Sequence, residues 1–244
     1  MTIKQYILFI FITFPAVSDA QRTIQHTNLL WGGYYNTIVF NKNWSLVSDV
    51  QLRTKDWTDE WSQILVRSGM SYKFNDHLRI AVGFAFFKNA QYLNKQLLLK
   101  NEWRPWQELS YETNLNKLNF TQKLRTEQRF LQEVININLT NKYEYIFRLR
   151  YRFDWQFPLK KNNIRLLLGN EVLVNPAYIN NTRFFDQNRT FTGLNFRMKS
   201  NTSLQIQYLK LFQWHSNTYV LEDQNVFRIN IYQQFNFKKS HESK

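Results

Sequence analysis

Residues 147–157 read Phe147-Arg148-Leu149-Arg150-Tyr151-Arg152-Phe153-Asp154-Trp155-Gln156-Phe157. Every odd position is apolar or aromatic, and every even position is charged or an amide. Successive side chains of an extended chain point to opposite faces, so this stretch is a strand with one greasy face and one ionic face. Strands of soluble sheets average about 5–6 residues. A run of about 9–11 residues is what a tilted strand needs to cross a bilayer.

The same period of two recurs outward in both directions. Trp44, Leu46, Val50 and Leu52 oppose Asp49, Gln51 and Arg53. Ile64, Val66, Met70, Tyr72 and Phe74 oppose Gln63, Arg67, Ser71 and Lys73. Leu78, Ile80, Val82, Phe84 and Phe86 oppose Arg79, Ala81, Gly83 and Ala85, and Phe227, Ile229, Ile231, Phe235 and Phe237 share a face near the C-terminus. Short polar turns fall at 41–43, 75–76, 114–117, 159–163 and 200–202, alternating with longer segments at 55–60, 89–95, 131–142, 176–186 and 215–223. Trp44, Tyr72, Phe74, Trp155, Phe157, Phe196, Phe235 and Phe237 mark the short-turn side, and Trp57, Trp61, Tyr92, Trp103 and Trp214 the other side, as two aromatic girdles.

These features predict an all-β fold: a closed antiparallel transmembrane β-barrel with short periplasmic turns and longer outer loops. Eleven strands stand out. A closed, wholly antiparallel sheet takes an even number, so about 12 strands are expected, with Thr23–Leu29 supplying the twelfth and 10 as the alternative. Lys210 sits on the greasy face of the tenth strand, which points to a bulge or to snorkelling.

The N-terminus sets the compartment. Residues 1–20 carry Lys4, an apolar run from Tyr6 to Val17, and the small residues Ser18 and Ala20 before Gln21. This is the pattern of a cleaved signal peptide, too short for the ~20 residues of a membrane anchor helix. The domain expectation is therefore a leader over 1–20, a barrel over 21–237 and a polar tail over 238–244, located in the outer membrane. The chain has 244 residues and a net charge of +14. Loss of Lys4 and Asp19 leaves that charge unchanged. An excess of this size calls for an anionic partner. There is no cysteine, so disulfides and thiolate metal sites are excluded.

Leu124-Arg125-Thr126-Glu127-Gln128-Arg129-Phe130, Arg148-Leu149-Arg150-Tyr151-Arg152, Gly169-Asn170-Glu171-Val172 and Phe185-Asp186-Gln187-Asn188-Arg189 follow one another, preceded by Glu102-Trp103-Arg104-Pro105-Trp106-Gln107. Together they resemble an outer-membrane barrel family of Gram-negative bacteria known as domain of unknown function 2490. The resemblance covers nearly all of the chain after the leader, least clearly the first strand with Gly32-Gly33. It implies a location and a fold, and no activity.

The ionic faces hold the chemistry. Arg125, Glu127, Arg129, Arg148, Arg150, Arg152, Asp154, Glu171, Asp186 and Arg189 are the candidate lumen charge network. Arg53, Arg67, Arg79, Arg197, Asp49 and either Glu102 or Glu108 join them on the polar face. Arginine–carboxylate pairs on neighbouring strands form charge-assisted bonds. Such a lumen is either a plug packed with ion pairs or a basic, narrow passage for small anionic solutes. A barrel enzyme acting on envelope lipids is a second reading. His215, beside Ser216, is its catalytic candidate, because His26, His77 and His241 are poorly placed and no G-x-S-x-G occurs. A soluble secreted barrel around an apolar ligand is a third. No cofactor or metal is expected: calcium at Glu171 and Asp186 is opposed by Arg189. Nucleic acid is disfavoured by the leader and by the opposite facing of arginines and rings. The expected partners are outer-membrane lipid and lipopolysaccharide, whose phosphates would meet Lys55, Lys88, Lys95, Lys100 and Arg183. The sequence leaves the oligomeric state open.

Overall fold

The computed structural model describes residues 23–93, 96–115, 117–135, 137–159, 163–176, 184–214 and 220–237. The expected leader, the polar tail, His215, Lys95 and Arg183 lie outside these residues. The described chain forms eleven strands: β1 (Thr23–Val39), β2 (Trp44–Lys55), β3 (Glu60–Lys73), β4 (Leu78–Leu93), β5 (Gln96–Leu115), β6 (Leu118–Ile135), β7 (Asn138–Pro158), β8 (Ile164–Val174), β9 (Phe185–Lys199), β10 (Thr202–Trp214) and β11 (Val220–Asn236).

Each strand pairs with its sequence neighbours, and β11 pairs with β1, so the sheet closes on itself. The sequence expectation of 12 strands is corrected to 11. Thr23–Leu29 is not a separate strand but the first part of β1. The parity problem is solved at the seam: β1 and β11 run parallel, in unbroken register from Thr23↔Val220 to Val39↔Asn236. Every other neighbouring pair is antiparallel.

The connections also depart from expectation. Of the segments read as longer loops, 89–95 and 131–142 are mostly strand. β4 pairs with β5 out to Leu93↔Gln96, and β6 with β7 out to Ile135↔Asn138. The extra length at this rim is thus built as protruding hairpins, and β5 and β7 reach 20 and 21 residues. β8 and β9 are joined through residues 175–184. At the opposite rim the short turns close through asparagine. Asn41 Oδ1 accepts from the Asn43 and Trp44 amides, and Asn75 Oδ1 from those of His77 and Leu78, the side-chain turn chemistry that favours this residue.

Alternation sorts the side chains as the sequence predicts. Val50, Val66, Val82, Phe84, Leu109, Leu124, Ile229 and Ile231 are exposed on the convex outside. The two sets of rings expected as girdles face out as well: Trp44 packs edge-on against Tyr72 at 4.8 Å and Tyr72 against Phe74 at 5.0 Å, while Trp57, Trp61, Tyr92 and Trp103 are exposed near the other rim. Lys210 faces outward without a bulge beside it, 2.5 Å from Asp223 and 3.1 Å from Asn225 Oδ1.

Two tryptophans break the outward rule. Trp31 and Trp106 are buried inside. Trp106 lies flat over the paired glycines Gly69 and Gly83, where a Cβ would fall 2.5 Å and 2.6 Å from its ring carbon Cζ2. Those positions carry no side chain because the indole occupies the space above them. Gly83→Val should therefore cost about 1–3 kcal/mol through overpacking. It should lower the urea midpoint of the purified barrel, read from its heat-modifiable gel mobility, while the exposed Val82→Ala shifts the midpoint far less.

Candidate functional site

Nine of the ten residues of the expected charge network lie at inward-facing strand positions, and the barrel brings them together. Asp186 has the opposite parity to Gln187 and Arg189 on β9, sits at the register shift beside Val174, and joins the network only through its contact with Arg148. Both Glu102 and Glu108, left as alternatives by the sequence, turn inward along β5. Arg104, between them in the same parity, was missed. Its signal was the even-numbered alternation Glu102, Arg104, Trp106, Glu108.

Glu127 is the hub. It is 1 % exposed, and its carboxylate meets Arg148 Nη2 at 2.5 Å, Arg104 Nη1 at 3.3 Å, Arg150 Nη1 at 3.5 Å and Arg125 Nη1 at 4.0 Å. The chain of pairs continues on both sides. Glu102 accepts from Arg104 and, through both oxygens, from Arg129 at 2.7 Å and 3.2 Å. Arg148 reaches Asp186 at 3.0 Å. Glu171 holds Arg150 at 2.6 Å and Arg189 at 3.0 Å. Arg125 pairs with Glu108, Arg67 with Asp49 at 2.6 Å, and Arg152 with Asp154 at 3.1 Å. The pairs at 2.5–3.1 Å have the spacing of charge-assisted hydrogen bonds, whereas Arg150 at 3.5 Å and Arg125 at 4.0 Å from Glu127 are ion pairs without that bond.

Aromatic rings complete the coordination. The guanidinium carbon of Arg104 lies 3.8 Å from the Phe87 ring centre, that of Arg152 4.6 Å from Phe191, and that of Arg125 4.9 Å from Trp106. Planar, weakly hydrated guanidinium suits such stacking, whereas lysine does not, which accounts for arginine on this face. At the short-turn rim, Lys73 bonds the exposed Asp76 at 2.7 Å, and that contact lowers the carboxyl's pKa.

The network does not fill the interior. A cavity of about 820 Å³ runs within the barrel, bordered by Lys55 and Glu222 near one rim and by Asp76 and Asn119 near the other. Fourteen basic and eight acidic side chains line it, so its surface is net positive. An apolar ligand finds no matching wall here. Glu171 and Asp186 are both engaged by arginines. Among the described residues, no cluster of histidine and carboxylate has a metal-holding arrangement.

A closed sheet with its apolar residues outside and its charges around an axial cavity is a porin-like barrel. The chain belongs to the family described as "Protein of unknown function (DUF2490)", which it matches over residues 28–222. Among solved structures it is similar to one titled "NanC porin structure in rhombohedral crystal form", with a TM-score of 0.51 and 12% sequence identity, covering 84% of this chain and 98% of that one. At that identity the likeness is one of fold alone. No curated protein matches the chain.

Removing one partner from a buried ion pair leaves the other charge uncompensated, at a cost of about 3–5 kcal/mol. Glu127→Gln should therefore destabilise the barrel by that order in guanidinium titration. The exposed Glu60→Gln, whose carboxylate lies 4.0 Å from Lys55, should change stability by less than about 1 kcal/mol.

Proposed function

We propose that this chain is an integral outer-membrane barrel that gives small anions a narrow, selective passage through its lumen. The observation that carries the reading is the arginine-rich cavity whose lining extends from one rim to the other. The membrane setting is supported by the exposed apolar exterior, the two girdles of rings and the leader pattern of residues 1–20. Soluble monomers rarely expose apolar patches of more than a few hundred Å², and a larger one, such as a belt of this kind, marks a surface that meets a partner or a membrane. Lipid tails satisfy the belt, and a closed sheet leaves no backbone group unpaired within it. The paired arginines act as a fixed scaffold that narrows the lumen, and the surplus positive charge biases it toward anions. Lys88, exposed on the outer face of the protruding β4–β5 hairpin, suits the phosphates of lipopolysaccharide, whereas Lys55 and Lys100 have the inward parity.

In planar bilayers the purified protein should produce small conductance steps, and under a potassium chloride gradient the reversal potential should favour chloride. A closed trace over the full voltage range would reject the passage. Independently, Leu149→Cys should react with a lipid-confined maleimide and Arg150→Cys only with a water-soluble one. The opposite pattern would reject the membrane setting.

A further inference from the structure

The arginines of the lumen are of two kinds. Those on β3, β5, β6 and β7, and Arg189 on β9, are paired with carboxylates, whereas Arg79 at the start of β4 is exposed at the asparagine-turn rim with no such pair among the described residues. Arg53 on β2 and Arg228 on β11 have no carboxylate partner among the described residues. Arg53 donates to Gln63 Oε1 at 2.7 Å and Gln51 Oε1 at 3.1 Å. Arg228 donates through Nε and Nη2 to Gln207 Oε1, with the Nε contact at 2.7 Å. Amide oxygens orient a guanidinium without cancelling its charge. Arg53 Nε is also buried without any hydrogen-bond partner. The cause lies in sequence and register: β1 and β10 contain no Asp or Glu, and the acids of β2, β3 and β11 are engaged elsewhere, Asp49 by Arg67, Glu60 by Lys55, Glu222 by Gln224 and Asp223 by Lys210.

The two arginines flank one residue. Trp31 is in register with Arg53 on one side and Arg228 on the other, so their backbones stand two strand spacings apart, about 9.5 Å. The Trp31 ring faces the lumen between them. Arg53 stacks on it at 4.1 Å, and Arg189 approaches it at 5.5 Å. A guanidinium carries five donors. Arg53 and Arg228 use two each on their glutamines, leaving six unused, of which Arg53 Nε is shielded and the others remain for a guest.

We propose that Arg53 and Arg228, held by Gln51, Gln63 and Gln207 on either side of Trp31, form a binding site for one small oxyanion, a carboxylate or phosphate group, inside the lumen. This deepens the anion-passage reading and rests on it for its physiological meaning. The unused donors suit bidentate capture of two oxygens. A buried charge without a counter-ion is the costly state of this barrel, and the guest relieves it. On the opposite wall, resident carboxylates already play the guest's role.

The test is calorimetric titration of the detergent-solubilised barrel with inorganic phosphate, and separately with acetate, at constant ionic strength. Wild type should bind one phosphate saturably. Gln207→Glu, which gives Arg228 the kind of partner found elsewhere in the lumen, should weaken binding by at least about tenfold, and so should Arg228→Gln. Gln156→Glu makes the same charge change on the far wall and should stay within about twofold of wild type. Gln207→Glu is expected to fold, because arginine–glutamate pairs recur throughout this interior. Equal losses in Gln207→Glu and Gln156→Glu would overturn the site in favour of a diffuse lumen potential, as would the absence of saturable binding. Saturable binding without conductance would retain the site and reject the passage. Anion-preferring conductance with no loss in either Gln207→Glu or Arg228→Gln would retain the passage and reject the site.

Discussion

The ring of backbone hydrogen bonds is the constraint from which the rest follows. An open sheet presents two rows of unpaired amides and carbonyls, and closure removes both. With eleven strands, closure brings β1 and β11 together in the same direction, through a parallel ladder that is slightly less favourable per residue than the antiparallel ones. That cost is small beside two open edges. Once the ring is closed, each strand position is committed to the axis or to the exterior. A slip of one residue in any pair would drive arginines outward and rings inward. The unbroken seventeen-residue seam and the ion pairs across the lumen therefore specify the same register from two directions.

Inside the ring, the distribution of carboxylates matters more than the number of arginines. Glu102, Glu127 and Glu171 lie on β5, β6 and β8, and they turn one wall into a lattice in which each acid serves two or more arginines. The desolvation of so many charges is offset only because nearly every group finds partners. Around β1 the wall has a different character: Asp49 serves Arg67, but glutamine and tryptophan surround Arg53 and Arg228, whose charge is oriented and not neutralised. The barrel thus has a rigid, self-compensated side and a side with unspent charge.

Much of this was legible in the sequence. The alternation of Phe147–Phe157 and its repeats told which residues turn inward, and nine of the ten network residues do so; Asp186 reaches the network from a register shift that alternation does not record. Strand number was harder. The rule that antiparallel closure needs an even count is sound, but the exception resides in a pairing between residues nearly two hundred positions apart, which no local pattern records. The protruding hairpins at 89–95 and 131–142 were read as loops, yet their described residues are paired strand, with Tyr92, Ile135 and Leu139 exposed on them. Arg104 and Arg228 obeyed the alternation and were overlooked beside longer basic runs. What alternation cannot supply is partnership: that Arg148 meets Glu127 while Arg228 meets only Gln207 depends on cross-strand register, and so on the closed ring itself.

The odd strand count also determines where the described chain starts and stops. β1 begins at the rim of the protruding hairpins, and β11 ends at the rim of the asparagine turns. Domains whose two ends lie side by side can be cut elsewhere and rejoined by a short bridge. Here a bridge from Asn236 back to Thr23 would have to travel the length of a 17-residue strand, roughly 55 Å at strand rise. It would have to run down the axis or along the apolar wall. Relocating the ends of this fold by circular permutation is therefore closed off by arithmetic, a restriction that a barrel with one more or one fewer strand would escape.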